Sequence, residues 1–272
     1  MYPAFDAIAR GYDAEFSHTR LGKMLRARVY TLMQEHKMLQ NSQKSVHISH
    51  FSPSVLELNA GTGEDALWFA QQGWQVLATD ISAEMLAVAE QKARLYPTLS
   101  ISFRVCSFSQ LSDLEAGPFD LIFSNFGGLN CISPADLAKL GPIIAQKLKP
   151  GGRFIAVVMG KFCAWETTYF LAKASPRNAF RRLQNTPLPS QLDAQTKIDT
   201  WYHSPHLFLK MVDYNQKMSQ INPVGLWLPP SYLSPFCEKH PRLLQWLQTM
   251  EQRAAPPWMA WAADHYLICL ST

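Results

Sequence analysis

A parallel α/β sheet with crossover helices is the fold class that this 272-residue chain predicts. Three observations carry the prediction. Short β-rich runs alternate with helical segments from Ser54 to Met159. A loop with almost no side chains, NAGTG, follows the first of those runs directly, and an acid, Asp80, stands straight after the second.

Taken in order, the strands read 54–58 (SVLEL), 75–79 (QVLAT), 101–105 (ISFRV), 119–124 (FDLIFS) and 153–159 (RFIAVVM), with helices over 63–72, 83–95 and 134–147. Ser82 is set to cap the second helix, on which Met85, Leu86, Val88 and Ala89 mark an apolar face at helical spacing. Pro134 opens the third helix after Ser133, and Gly151 with Gly152 ends the segment ahead of the fifth strand. Residues 1–50 form an amphipathic helical lead-in closed by the linker-like stretch NSQKSVHISH. Beyond Met159, Pro176, Pro187 and Pro189, then Pro223, Pro229, Pro230 and Pro235, break the pattern and predict an insertion of short helices. A helix follows at 242–253 (RLLQWLQTMEQR), and HYLICL reads as a last strand. The chain thus divides into 1–50, a core at 51–160, and 161–272.

With 47% apolar and 17% charged residues the composition is that of a soluble globular protein with an ample core. The net charge of +4 is scattered, its tightest groups being Lys23, Arg26, Arg28 and Arg177, Arg181, Arg182. No basic stripe forms, so no nucleic-acid partner is expected. The amino terminus carries charges where a secretory signal needs an apolar run, and no run of about 18 apolar residues occurs, so a cytoplasmic protein without a membrane span is expected. Five widely spaced cysteines without a CxxC pair read as reduced core residues, with no metal.

Gly61, Gly63 and Ala66 satisfy G-x-G-x-x-A, and Asp80 lies where a ribose hydroxyl is read in dinucleotide proteins. Several adenosine cofactors share these mechanics, and a nicotinamide-dependent oxidoreductase is one reading. Four further stretches separate the cases. E-x-N-x-G-x-G at 57–63, TDIS at 79–82 followed by EMLAVAEQKA, GPFDLIFSNFGGLN at 117–130 and LKPGGRFI at 148–155 resemble, in order, the motifs of class I S-adenosylmethionine-dependent methyltransferases of the small-molecule type. Glu57 also stands where nicotinamide proteins usually keep a small or apolar residue. The lead-in FDAIARGYD at 5–13 resembles the amino-terminal helix of the same family.

The resemblance implies a Rossmann-like, doubly wound sheet of seven strands with the last antiparallel, a helical amino-terminal lid and an acceptor-side insertion. It implies S-adenosylmethionine as cofactor, with Asp80 on the ribose, Ala60, Gly61 and Gly63 along the methionine part, and Ile81 and Met85 on one face of adenine. Glu57 belongs to the first motif, and Arg26 is assigned to the cofactor carboxylate. Tyr12 lies over the cofactor, Asn125 and Phe126 line the methyl side, and Asn130 lies further out towards the acceptor. Two positions depart from the family: Asn59 replaces its first glycine, and Ser107, beside Phe108, replaces the acid that reads adenine. Asparagine tolerates a left-handed backbone, so the loop is expected to keep its course, with Asn59 free for a polar contact of its own. A non-catalytic cofactor-binding protein on this scaffold is the alternative that these departures support.

The sulfonium cofactor carries its own driving force, so no universal catalytic residue is implied. His203 and Tyr12 are the catalytic candidates, and His206 and His265 are further possible bases. The aromatics Trp201, Tyr202, Tyr214, Trp227, Tyr232, Phe236, Trp246, Trp258 and Trp261 suit an apolar or planar small acceptor.

Overall fold

The computed structural model describes residues 4–39, 52–193, 196–212 and 217–272. The lead-in begins with two short helical turns, Asp6–Ile8 and Asp13–Ser17, and continues as helix α1 (Arg20–Glu35), capped by the Thr19 side chain. There follow β1 (Ser54–Leu58), α2 (Glu64–Gln71), β2 (Gln75–Asp80), α3 (Ala83–Ala93), β3 (Ile101–Val105), β4 (Phe119–Ser124), α4 (Pro134–Lys147) and β5 (Leu148–Met159). The insertion holds α5 (Ala164–Ala172), α6 (Pro176–Ala179), a hairpin of β6 (Leu188–Gln191) and β7 (Lys197–Thr200), and α7 (Pro205–Val212). Then come β8 (Lys217–Val224), α8 (Ser234–Lys239), α9 (Pro241–Arg253) and β9 (His265–Ser271).

The main sheet has seven strands in the order β3-β2-β1-β4-β5-β9-β8, with β9 antiparallel to both neighbours. Strand order reverses between β1 and β4, the switch point at which an open α/β sheet leaves a crevice beyond its carboxyl edge. The central strands can be near-continuous apolar runs because helices cover both faces. One face packs Phe69, Phe123 and Leu267 against α1, whose Leu21, Leu25, Val29 and Leu32 are all buried. The other packs Leu56, Ile122, Phe154 and Tyr266 against Leu137, Leu140 and Phe208 of α4 and α7.

Within the described part of the lead-in, the turns before α1 reach the carboxyl edge, whereas α1 is largely a core helix touching α8, α9 and β8. The linker-like 41–50 stretch lies outside the described residues, as does Tyr214. Strand β5 begins five residues earlier than its sequence suggests, because Leu148 already pairs with Phe119 before an irregularity lets Arg153 pair with Leu121. The β6–β7 hairpin was not foreseen in the sequence, and β8 supplies the seventh strand that the family resemblance implied without placing it. Pro223 is tolerated in β8 because that strand is at the sheet edge. Among the described residues, no helix is long and apolar enough to cross a membrane.

Candidate functional site at the carboxyl edge

After Leu58 the backbone turns left-handed at Asn59 (φ 48°), Gly61 (φ 54°) and Gly63 (φ 78°). The two glycines are there for different reasons. A Cβ on Gly63 would stand 2.7 Å from that of Ala89, so this residue lets the loop pack on α3. A Cβ on Gly61 would meet nothing within 4 Å, so here bare backbone faces open space. The Gly61 N–H donates to Oδ2 of Asp80 at 2.8 Å, and the Ser82 N–H donates to Oδ1 at 2.9 Å. Burial raises the Asp80 carboxyl pKa in spite of those donors. Beside it Ile81 is 52% exposed, whereas Met85 is shut into the interior at the capped start of α3.

Asn59 does not keep its amide free. Its Nδ2 donates to the Asn125 carbonyl at 2.8 Å and its Oδ1 accepts from Ser124 at 2.6 Å, so the side chain ties the end of β1 to the end of β4. Ser107 is likewise engaged, in a capping box with Gln110 that starts the turn Phe108–Asp113, while Phe108 packs against the core.

Beneath the loop lies a buried polar floor. The Arg26 guanidinium pairs with Oδ2 of Asp65 and lies over the Phe126 ring, 5.3 Å from its centre. Asp65 also accepts from the Tyr30 hydroxyl at 2.7 Å and from Nδ2 of Asn125 at 3.1 Å. Burial opposes the charge of Arg26, but Asp65 outweighs it and holds the pKa above its usual value. Glu57 is 2% exposed and its Oε2 has no protein partner; nor has Nε of Arg26. Burial first, then the charge of Asp65, pushes the Glu57 carboxyl well above the ordinary range. Asp65 escaped sequence reasoning because an acid in the first turn of a helix is adequately explained by the helix dipole.

The roof is fastened by acids. Asp6 accepts from the Ser82 hydroxyl, and Asp13 accepts from Thr62 in the glycine loop at 2.6 Å while pairing with Lys92 at 2.5 Å. Lys92 also pairs with Glu64, which His18 reaches at 3.2 Å. Burial lifts the Tyr12 phenol to about 12, so it stays protonated. From Tyr12 a line of rings crosses the crevice: Phe16 at 5.7 Å, then Phe126 at 5.5 Å, then His265 at 5.7 Å.

On the β4–β5–β9 side several expectations are corrected. Asn130 does not face the acceptor; it is fully buried and clamps backbone, donating to the carbonyls of Met159 and Trp201 and accepting from the Met159 N–H. His203 is 1% exposed, neither ring nitrogen has a partner, and burial depresses its pKa to about 4, so it is a neutral core residue rather than a base facing the cleft. His206 points to solvent. Of the carboxy-terminal aromatics, Tyr232, Phe236, Trp246, Trp258 and Trp261 are exposed, Tyr232 within reach of the charges of Glu166, Asp264 and Arg182, and Trp227 is tied down by its ring N–H to Ala254. The line of rings from Tyr12 to His265 draws on the roof, on Phe126 just after β4 and on the first residue of β9.

A methyltransferase domain model matches residues 55–152. The malonyl-[acyl-carrier protein] O-methyltransferase of Marinomonas sp. (strain MWYL1) is 26% identical over 74% of this chain and 70% of its own length. Among solved structures, an S-adenosylmethionine-dependent methyltransferase from Clostridium acetobutylicum ATCC 824 superimposes with a TM-score of 0.57 at 15% identity over 99% of both chains. The magnesium protoporphyrin IX methyltransferase of Synechocystis PCC 6803, solved with bound S-adenosylhomocysteine, gives a TM-score of 0.54 at 14% identity over 93% of this chain and 87% of its own.

Proposed function

We propose that the chain, a class I S-adenosylmethionine-dependent methyltransferase, methylates a small organic acceptor of apolar or aromatic character in the crevice between the β1/β4 switch and the roof. When bound, the sulfonium cofactor supplies an activated methyl group; the protein's part is to hold it, align the acceptor and exclude water.

The observation that carries the reading is the Asp80 carboxylate, fixed by the Gly61 and Ser82 amides beside a loop whose outer side is open. In this reading its remaining lone pairs accept the ribose hydroxyls. Ala60, Gly61 and Gly63 give backbone access to the methionine part, with Asn59 holding the loop to β4. Ile81 offers an exposed apolar face to adenine, Met85 backs it, and Ser107 with Phe108 borders the far end. The floor fits a zwitterion: the orphaned Oε2 of Glu57 suits an ammonium, and the unpartnered Nε of Arg26 suits a carboxylate. Tyr12, Asn125 and Phe126 border the methyl side, where the rings of Phe16 and Phe126 would receive an apolar acceptor. The functional division is a roof and helix in 1–50, a cofactor core in 51–160 and an acceptor side in 161–272. A cytoplasmic setting is part of the proposal, supported by five free thiols.

Native mass spectrometry with S-adenosylhomocysteine, comparing wild type with Asp80→Ala, tests it. Retention by the wild type and loss of about 100-fold in affinity by the variant are expected, since two hydrogen bonds to a charged group disappear. Equal retention by both proteins would refute the site.

A further inference from the structure

We propose that His265 is the general base of the transfer, oriented by Asp264, and that the acceptor carries a neutral hydroxyl that must give up its proton. This rests on the cofactor crevice described above.

Topology puts this histidine where a base is needed. Strand β9 runs against its neighbours, so its first residue lands at the carboxyl edge, paired with Met159 of β5 and Val224 of β8. The ring packs at right angles to that of Phe126, at the end of the aromatic line that starts at Tyr12. Nδ1 lies 3.1 Å from Oδ2 of Asp264, at ion-pair distance though not aligned as a hydrogen bond, which leaves Nε2 on the side of the ring away from the carboxylate.

Asp264 is itself immobilised. Its Oδ1 receives Arg182 at 2.7 Å, its carbonyl accepts the Gly160 N–H at 3.0 Å, and its own N–H donates to Gly225 at 3.1 Å. Arg182 reaches on to Glu166 at 2.8 Å and lies 4.7 Å over the Tyr202 ring, while Arg181 takes the other Glu166 oxygen at 2.7 Å. Burial raises the Asp264 pKa, but His265 and Arg182 outweigh it and hold the carboxyl far below the usual range. A permanent carboxylate on the Nδ1 side of an imidazole favours, through its charge, the tautomer protonated at Nδ1 and stabilises the imidazolium.

The charge balance selects the acceptor. Arg181 and Arg182 face Glu166 and Asp264, two against two, and Arg26 over Phe126 is offset by Asp65. Glu251, packed near from α9, spends its carboxylate on the amides of Gly225, Trp227 and Leu228. Charge around Asp264 and His265 is therefore balanced, which favours a neutral acceptor over an anionic one although Nε of Arg182 keeps no partner. A neutral hydroxyl finds a proton acceptor instead. As its oxygen bonds to the methyl carbon, the O–H proton passes to Nε2 of His265, the old methyl–sulfur bond leaves its electron pair on sulfur, and the imidazolium later releases the proton to water.

The test has two readouts. In protein saturated with S-adenosylhomocysteine, nitrogen-15 NMR follows the two ring nitrogens of His265, identified by their loss in His265→Gln; Asp264→Asn is expected to shift the balance between the two neutral ring tautomers away from the form protonated at Nδ1. Transfer is measured from tritiated S-adenosylmethionine to the deproteinised extract, below about 1 kDa, of the cells that make the protein. His265→Ala is expected to lose about 100-fold in transfer, to bind S-adenosylhomocysteine within about twofold of wild type, and to recover with added imidazole. Transfer undiminished in His265→Ala, or a loss that imidazole does not repair in a variant that still binds, overturns the assignment, as does a His265 tautomer balance indifferent to Asp264. Wild-type protein that binds the cofactor product yet methylates nothing in the extract overturns the small-acceptor reading and this inference with it.

Discussion

Alanine at Gly61 and alanine at Gly63 are expected to damage different properties of the same loop. Both positions are left-handed, which costs an alanine about 1–2 kcal/mol. At Gly63 the new methyl also meets Ala89 at 2.7 Å, and overpacking of that kind adds about 1–3 kcal/mol, for a total of about 2–5 kcal/mol. At Gly61 nothing in the protein is touched, so the loss of stability stays near the backbone cost alone. The methyl there projects into the space assigned to the cofactor and should weaken S-adenosylhomocysteine binding at least about tenfold, or roughly 1.4 kcal/mol. Urea unfolding followed by tryptophan fluorescence reads the first quantity, and calorimetric titration reads the second. Wild-type affinity in Gly61→Ala would refute the assignment of that open face to a ligand; equal destabilisation by both variants would refute the packing argument for Gly63.

Asp65→Ala should destabilise the protein by about 3–5 kcal/mol in urea, because Arg26 is left as a buried charge without its acid. The double variant Arg26→Met with Asp65→Leu should recover much of that loss, and a single-variant effect below about 1 kcal/mol would show the pair to be dispensable. His203 yields a pH prediction: its folded pKa is depressed to about 4 from 6.5, so the unfolded chain takes up a proton that the native state refuses. Stability that is full above pH 6.5 should therefore fall as pH drops towards 4, by up to about 3 kcal/mol from this group, and His203→Phe should flatten that stretch of the stability profile. An unchanged profile would mean that the ring is protonated in the fold.

The strands β1 to β4, the helix α4, the glycine loop and Asp80 were legible because each is written in neighbouring residues. An apolar run, a capping serine, a proline at the first helical position or an acid after a strand needs no distant partner to be recognised. The same holds for the motif resemblance, which depends on order and spacing along the chain.

What remained hidden depends on partners far apart in sequence. Asn130 has the composition of an acceptor-facing polar residue, and only the return of Trp201 beside β5 turns it into a backbone clamp. His203 reads as a candidate base until burial strips both nitrogens of partners, whereas His265 gains its place from an antiparallel strand that brings residue 265 beside Phe126. Arg26 and Asp65 meet across 39 positions, and Asp264 and Arg182 across 82. The sequence by itself determined the cofactor class and the α/β scaffold, since backbone conformation at glycines and local apolar periodicity are short-range properties. The tertiary structure alone decided which polar side chains face the crevice, because burial and charge pairing are properties of groups that the chain brings together only when it folds.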